Sequence, residues 1–270
     1  VAIALVAGLF YLSRFFPFPV FIPTGGENLL LGNPSQATAV QPDNYLMTKR
    51  QYVLSYNRDR GTANWVSWQL DRHWLGDTDR QDDFRPDESL PRRWPRVNAE
   101  AYAESGYDRG HLIPSADRTD SVADNSATFL MTNIVPQTAE NNRGPWRELE
   151  EYCRNLVDRG YELYIVAGVY GTQDHIGAVT VPSHLWKAIA VLKPGDGLKG
   201  ASAQTPIIAV DMPNAQQLDA NWQTYRVSVD DLEAKTGYDL LSRLPTSLQA
   251  ELERRTPSSI VLEPLHPRKS

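Results

Sequence analysis

Apolar and polar residues alternate along Tyr52-Val53-Leu54-Ser55-Tyr56 and again along Asn64-Trp65-Val66-Ser67-Trp68-Gln69-Leu70, on either side of the turn Asp59-Arg60-Gly61. A period of two marks strands with one face turned inward, so the pair predicts an antiparallel hairpin. Tyr164–Ala167, Pro206–Val210 and part of Trp186–Leu192 are short, nearly continuous apolar runs and read as core strands; Leu130–Val135 reads as another buried strand. Ser121–Phe129 is a short helix by its pattern, and Asp230–Leu244 a longer one closed by Pro245. The clearest helix is Asn142–Arg159. At about 100° per residue, Trp146, Leu149, Cys153, Leu156 and Val157 fall on one face. Arg143, Arg147, Glu150 and Arg154 run beside that face, where a groove wall would stand. Taken alone, such a stripe is equally a solvated ladder of i,i+4 ion pairs, worth only about a few tenths of a kcal/mol each.

This mixture of strands and helices predicts one α+β domain over 45–264, with no second boundary. Residues 25–44 are rich in Gly, Pro, Asn and Ser and read as a linker; 265–270 read as a loose tail, and Gly76–Arg96 as a long loop. The first 24 residues stand apart. Val1–Leu12 is almost wholly apolar, and the run resumes after Ser13-Arg14 with Pro17, Pro19 and Pro23 in it. Its length suits a signal peptide and is short for a spanning helix, so 1–24 reads as an export signal or membrane anchor. That places the domain outside the cytoplasm: secreted, periplasmic or at the cell surface.

The single Cys153 excludes an intrachain disulfide and a multi-cysteine zinc site. A net charge of −6 argues against a sequence-independent nucleic-acid coat protein. It leaves open an enzyme with a local basic groove.

The segment Tyr107-Asp108-Arg109-Gly110-His111-Leu112-Ile113-Pro114-Ser115-Ala116-Asp117-Arg118 gathers an acid, a guanidinium, a flexible glycine and a base suited to neutral pH. Gly110 is expected to let the backbone bend sharply between them. Phosphodiester hydrolysis needs a base for water, positive charge for the phosphorus and a proton for the leaving oxygen. His111 can be the base, and a hydrated Mg²⁺ can supply the rest. Mg²⁺ keeps most of its waters and needs few protein oxygens, for which the Asn142 side-chain carbonyl is a candidate. Glu150 can hold a metal-bound water, while Arg154, Arg109 and Arg85 can offset transition-state charge. The structural alternatives are an Asn142 that merely caps a helix and an Asn133 that is a satisfied buried amide.

These motifs resemble the DNA/RNA non-specific endonucleases of the ββα-metal class, the Asp-Arg-Gly-His nucleases, and their secreted cyanobacterial branch in particular. The matching segments are Asn64–Leu70, Asp83-Phe84-Arg85-Pro86-Asp87, Tyr107–Arg118, Met131–Gln137 and Asn141–Arg154, in family order. The resemblance implies a central antiparallel sheet flanked by helices, with the metal site on a strand–loop–helix unit. It implies His111 as general base, Asn142 as the direct ligand of Mg²⁺ (Mn²⁺ being the alternative ion) and Glu150 as a ligand through water. Arg85 and Arg154 would contact phosphate, Arg109 and Asp108 complete the signature with Asp108 positioning, and Asn133 supports the site. Arg143, Arg147 and Arg118 are the further contacts expected to nucleic acid. The implied partners are single- or double-stranded DNA and RNA, with room for a dedicated protein inhibitor and for membrane association through the N-terminus.

Two rival readings are a non-catalytic nucleic-acid-binding protein at the cell surface and a phosphodiesterase for smaller substrates. The intact set His111, Asn142 and Glu150 speaks against the former, since binding alone needs no base. Gly195-Asp196-Gly197-Leu198-Lys199-Gly200 matches the dinucleotide-binding glycine pattern but no helix follows it, so it reads as a surface loop. His175, His184 and Cys153 lack zinc-ligand spacing, and His73 and His266 lack any partner pattern.

Overall fold

The structure is a computed structural model that describes residues 26–256 and Leu265. Its elements are β1 (Tyr45–Thr48), β2 (Val53–Asn57), β3 (Thr62–Leu70), β4 (Asp108–His111), α1 (Val122–Ala127), β5 (Ile134–Gln137), α2 (Ala139–Arg143) and α3 (Pro145–Asp158). There follow β6 (Glu162–Tyr170), β7 (Asp174–Ile176), β8 (Val179–Val181), β9 (His184–Leu192), β10 (Ile207–Pro213), β11 (Arg226–Val227), α4 (Val229–Thr236) and α5 (Thr246–Glu253). Seven strands form one antiparallel sheet in the order β1-β2-β3-β6-β9-β10-β11. The predicted hairpin is β2–β3, with Leu54 opposite Val66.

Both faces of the sheet are covered, which is why its central strands read as apolar runs rather than as strict alternation. Along β6, Leu163, Ile165 and Ala167 face a core shared with Trp146, Leu149 and Cys153 of α3. Tyr164 and Val166 face a second core with Val229 and Leu232 of α4 and Leu252 of α5. The expected α+β class and the central antiparallel sheet are therefore present, as α3, sheet, then α4 and α5.

Four expectations change. Residues 26–44 are not a free linker: Leu29, Leu31 and Ala37 are buried in the second core, and Thr38 bridges to Tyr45. Irregular backbone is tolerated there because side chains satisfy it; Asn33 Oδ1 accepts from the Ala37 N–H, and Asn44 donates to the Ser35 carbonyl. The single helix over Asn142–Arg159 is two helices, broken at Gly144 (φ −101°, ψ −118°). Pro145 occupies the first turn of α3 and disfavours helical backbone in the residue before it. Leu130–Val135 begins as a 3₁₀ turn at Met131–Asn133 and becomes strand only at Ile134. The helix expected to reach Leu244 stops at Gly237, whose φ of +73° closes α4 in the left-handed region. The apolar segment 1–24 lies outside the described residues, as does most of the tail. Among the described residues no helix is long and apolar enough to cross a membrane.

Candidate active site

β4 and β5 pair as a separate two-stranded ribbon, Gly110 opposite Val135 and His111 opposite Ile134, and the chain continues through α2 into α3. Two strands and a helix thus present the motif residues at one place. Alternation along β4 turns Arg109 and His111 to the same side, where Phe84 meets both: its ring lies 5.4 Å from the His111 ring and 4.2 Å from the Arg109 guanidinium carbon. Gly110 sits in regular strand and makes no bend. Its lack of a side chain serves a close approach instead, since a Cβ there would lie 2.1 Å from Gln137 Oε1. Gln137 in turn donates to Asn141 Oδ1 at 2.6 Å and so anchors α2 against the ribbon.

His111 is 8% exposed, with Phe84 and Phe129 rings edge-on to it. Burial and then the Arg80 charge push its imidazole down to about 3, partly opposed by a hydrogen bond with the Arg109 backbone. That bond favours the protonated ring, so the ring donates to the carbonyl. Nε2 is buried without a partner. The tautomer assigned by this bonding leaves a bare lone pair on Nε2.

Asn142 lies in the last turn of α2, whose N-cap is Thr138, and so is not a cap itself. Its Nδ2 donates to Asp108 Oδ2 at 2.9 Å, which fixes the amide and leaves Oδ1 as the free acceptor. Asp108 also takes a bidentate pair from Arg143, at 2.8 and 2.6 Å. Burial alone would raise this carboxyl; the bonds from Arg143 and Asn142 outweigh it and hold the acid below its usual range. Asn141 is committed elsewhere: it is buried and donates to the Pro213 carbonyl.

On α3, Arg154 reaches Asp117 at 3.0 Å, and Asp117 accepts from the Trp68 indole at 3.0 Å. Glu150 lies 3.7 Å from Lys187 of β9. Burial pushes the Glu150 carboxyl up to about 7, against the pull of Lys187 and Arg154. Lys187 itself is 1% exposed, its ammonium 4.1 Å from the Trp146 ring centroid and 5.6 Å from that of Trp68.

A cleft of about 390 Å³ is lined by Arg80, Arg109, His111, Asn142, Arg147, Glu150 and Arg154 among others. A second hollow of about 510 Å³ shares Arg80, Arg109, Asn142 and Arg143 and continues past Asp108 and Phe84. Together they form a groove studded with guanidinium groups. Most residues singled out from the sequence meet here. Two do not. Arg85 lines neither hollow; its guanidinium is held by Asp83 at 2.6 Å and by the Ser126 carbonyl. Arg118 is 0% exposed, donates to the Gln51, Gln69 and Asp117 carbonyls and lies 4.0 Å over Trp74, so it is unavailable to a ligand. Asn133 is the satisfied buried amide, holding Ile113 N–H and carbonyl and the Thr128 carbonyl, which fixes the chain just past His111.

Two residues were missed. Arg80 lines both hollows, donates to Ser115 Oγ and lies 4.8 Å over Phe129; nothing in the charged loop around it signalled this. Lys187 did leave a signal, as the one charge inside the apolar run Trp186–Leu192. The glycine-rich Gly195–Gly200 is a loop with a 3₁₀ turn ahead of β10, as expected.

A family model described as DNA/RNA non-specific endonuclease matches residues 33–247. A nuclease of Nostoc sp. (strain PCC 7120 / SAG 25.82 / UTEX 2576) is 54% identical over 248 residues, 90% of this chain and 90% of that protein. The mitochondrial nuclease EXOG of Xenopus laevis is 36% identical over 208 residues, 70% of this chain but only 56% of that protein's length. Among solved structures, an EndoG/EndoGI complex aligns with a TM-score of 0.69 at 23% identity, covering 84% of this chain and 96% of that one; this is a likeness of fold. With the match running through the sheet, the β4–β5 ribbon and α3, the chain belongs to the DNA/RNA non-specific endonuclease family.

Proposed function

We propose that this chain is a metal-dependent endonuclease that hydrolyses DNA and RNA without preference for sequence or sugar. One observation carries the reading: His111, whose Nε2 has no hydrogen-bond partner, and Asn142, whose Oδ1 is free, line one cleft together with arginines. His111 takes the proton of the attacking water on its imidazole while the Arg109 backbone holds the ring. Its low basicity in the free protein reflects burial and the cations around it. An entering phosphodiester anion acts in the opposite sense and makes the ring a better base.

The donor set fits a hard divalent cation, Mg²⁺ before Mn²⁺. Asn142 offers a neutral oxygen fixed by Asp108, and Glu150 a carboxylate two turns along the chain that suits the cation's waters. When bound, that cation supplies positive charge opposite the phosphate oxygens. Arg80, Arg109 and Arg154 oppose the charge that develops on the phosphate in the transition state. Contacts of this kind go to the backbone and carry no base information. A base supplied by the protein makes a ribose 2′-hydroxyl unnecessary. Export or surface attachment through residues 1–24 fits such a scavenging or defensive chemistry, and cell fractionation tests it.

Digestion of supercoiled plasmid and of structured RNA, with Mg²⁺ or with EDTA, tests the reading. Both substrates should be cut only with the metal, and His111→Ala should slow cleavage by about 10²–10⁴-fold with binding kept. Full activity in His111→Ala, or cleavage in EDTA, would sink it.

A further inference from the structure

On the face of the sheet opposite α3, α4 and α5 bring three carboxylates together. Asp230 and Glu233 stand i,i+3 on α4 and share one side of it. Glu253 is the last residue of α5. One oxygen from each lies within 4.8 Å of the others. Such a grouping alone is common on acidic surfaces. Glu253 makes this one different. It is 7% exposed, it faces the other two acids, and its Oε1 is shut off from solvent with no hydrogen-bond partner among the described residues. Burial, with the charges of Glu233, Asp239 and Asp230, pushes its carboxyl up to about 7, against a hydrogen bond between Gln249 and the carboxyl. Two of the basic side chains near these helices are used elsewhere, Lys235 on Asp211 and Arg255 on Glu251, while Arg254 at the end of α5 is exposed. Glu233 gives one oxygen to the Leu240 N–H and keeps the other.

A buried, unpaired carboxylate oxygen among other carboxylates is costly unless a cation completes the set. We propose that Asp230, Glu233 and Glu253 form a structural Ca²⁺ site that ties α4 to α5. Ca²⁺ takes six to eight oxygens, carboxylates among them, in flexible geometry, whereas Mg²⁺ demands a near-ideal octahedron and keeps several of its waters. A cluster supplied by protein carboxylates therefore suits Ca²⁺ better than Mg²⁺. Three carboxylates, some bidentate, supply most of the required six to eight oxygens, and water completes the shell at the exposed Asp230. The ion would stabilise the helical layer behind the sheet and take no part in phosphodiester chemistry.

Calorimetric titration of the full chain with CaCl₂ tests this, beside Glu253→Gln and Asp230→Asn. Wild type should take up one Ca²⁺ more than either variant, since any ion at Asn142 is common to all three. At a hundredfold excess over Kd its Tm should rise about 5 °C further than theirs, with Mg²⁺-dependent plasmid cleavage unchanged. Asp230 is exposed, so Asp230→Asn keeps the test standing if Glu253→Gln does not fold. Equal uptake and equal Tm shifts in the three proteins would overturn the proposal. A wild type indifferent to Ca²⁺ would overturn it too, leaving a carboxyl cluster that shares a proton.

Discussion

Arg118 and Arg147 carry the same guanidinium and end in opposite environments. Arg118 closes the Asp-Arg-Gly-His segment, yet its fork is spent on three backbone carbonyls beneath Trp74. Arg118→Ala should therefore cost about 3 kcal/mol or more, read as a fall in the urea midpoint, because it strands buried acceptors beside Asp117 and Asp124. Arg147→Ala removes an exposed side chain 3.6 Å from Glu151. Its stability should stay within about 0.5 kcal/mol of wild type while KM for long DNA rises. Equal unfolding midpoints in the two variants would refute the distinction. The sequence announces which residue types suit this chemistry, and the meeting of His111, Asn142 and Glu150 in one cleft was legible for that reason. It does not announce which cations the fold will bury. Lys187 makes the same point from the other side, as a charge inside a strand. Lys187→Met should leave Glu150 buried without the Lys187 ammonium and raise the concentration of divalent metal needed for half-maximal cleavage, with KM for DNA little changed. An unchanged metal dependence would remove Lys187 from the site.

At the scale of elements, the position of Asn142 relative to Glu150 depends on the corner between α2 and α3. Periodicity reads through that corner, because Arg143, Arg147, Glu150 and Arg154 keep helical spacing across it. Pro145 carried the warning that the helix starts anew. The hairpin and the central strands were legible because their apolar patterns match what the sheet buries. The packed segment 26–44 was not, since irregular backbone held by Asn and Ser side chains has no period to read. Gly144→Ala would place a Cβ 2.4 Å from the Glu140 carbonyl, so the corner must open. We expect a stability loss of about 1–3 kcal/mol. The loss in kcat should be larger, up to about 10²-fold, because a shift of an ångström at Asn142 spoils its aim. A variant with normal kcat and lowered stability would show that the corner merely folds the chain.

Over the whole molecule the sheet separates two ionisable problems of opposite sign. On the cleft side, His111 titrates near 3 when folded against an ordinary 6.5, through burial first and then Arg80. The unfolded chain binds that proton earlier as pH falls, so this residue's contribution to stability is lost from pH 6.5 downward. Behind the sheet, Glu253 titrates near 7 against an ordinary 4.5, through burial and then Glu233, Asp239 and Asp230, with Gln249 opposing. Here the folded chain holds the proton longer. Its contribution is full below pH 4.5 and is lost as pH rises through about 7. Between pH 4.5 and 6.5 these two slopes oppose each other, but Glu150, which burial also pushes up to about 7, adds a second falling one, so wild type in EDTA should lose stability as pH rises across that window. Glu253→Gln removes one of the two falling limbs and should leave a nearly flat profile across that window, with Glu150 offsetting His111. His111→Gln removes the rising limb and should make the fall steeper than in wild type. Urea midpoints at half-unit pH steps would separate the three proteins, and parallel profiles would show that neither buried group keeps its shifted proton affinity in solution.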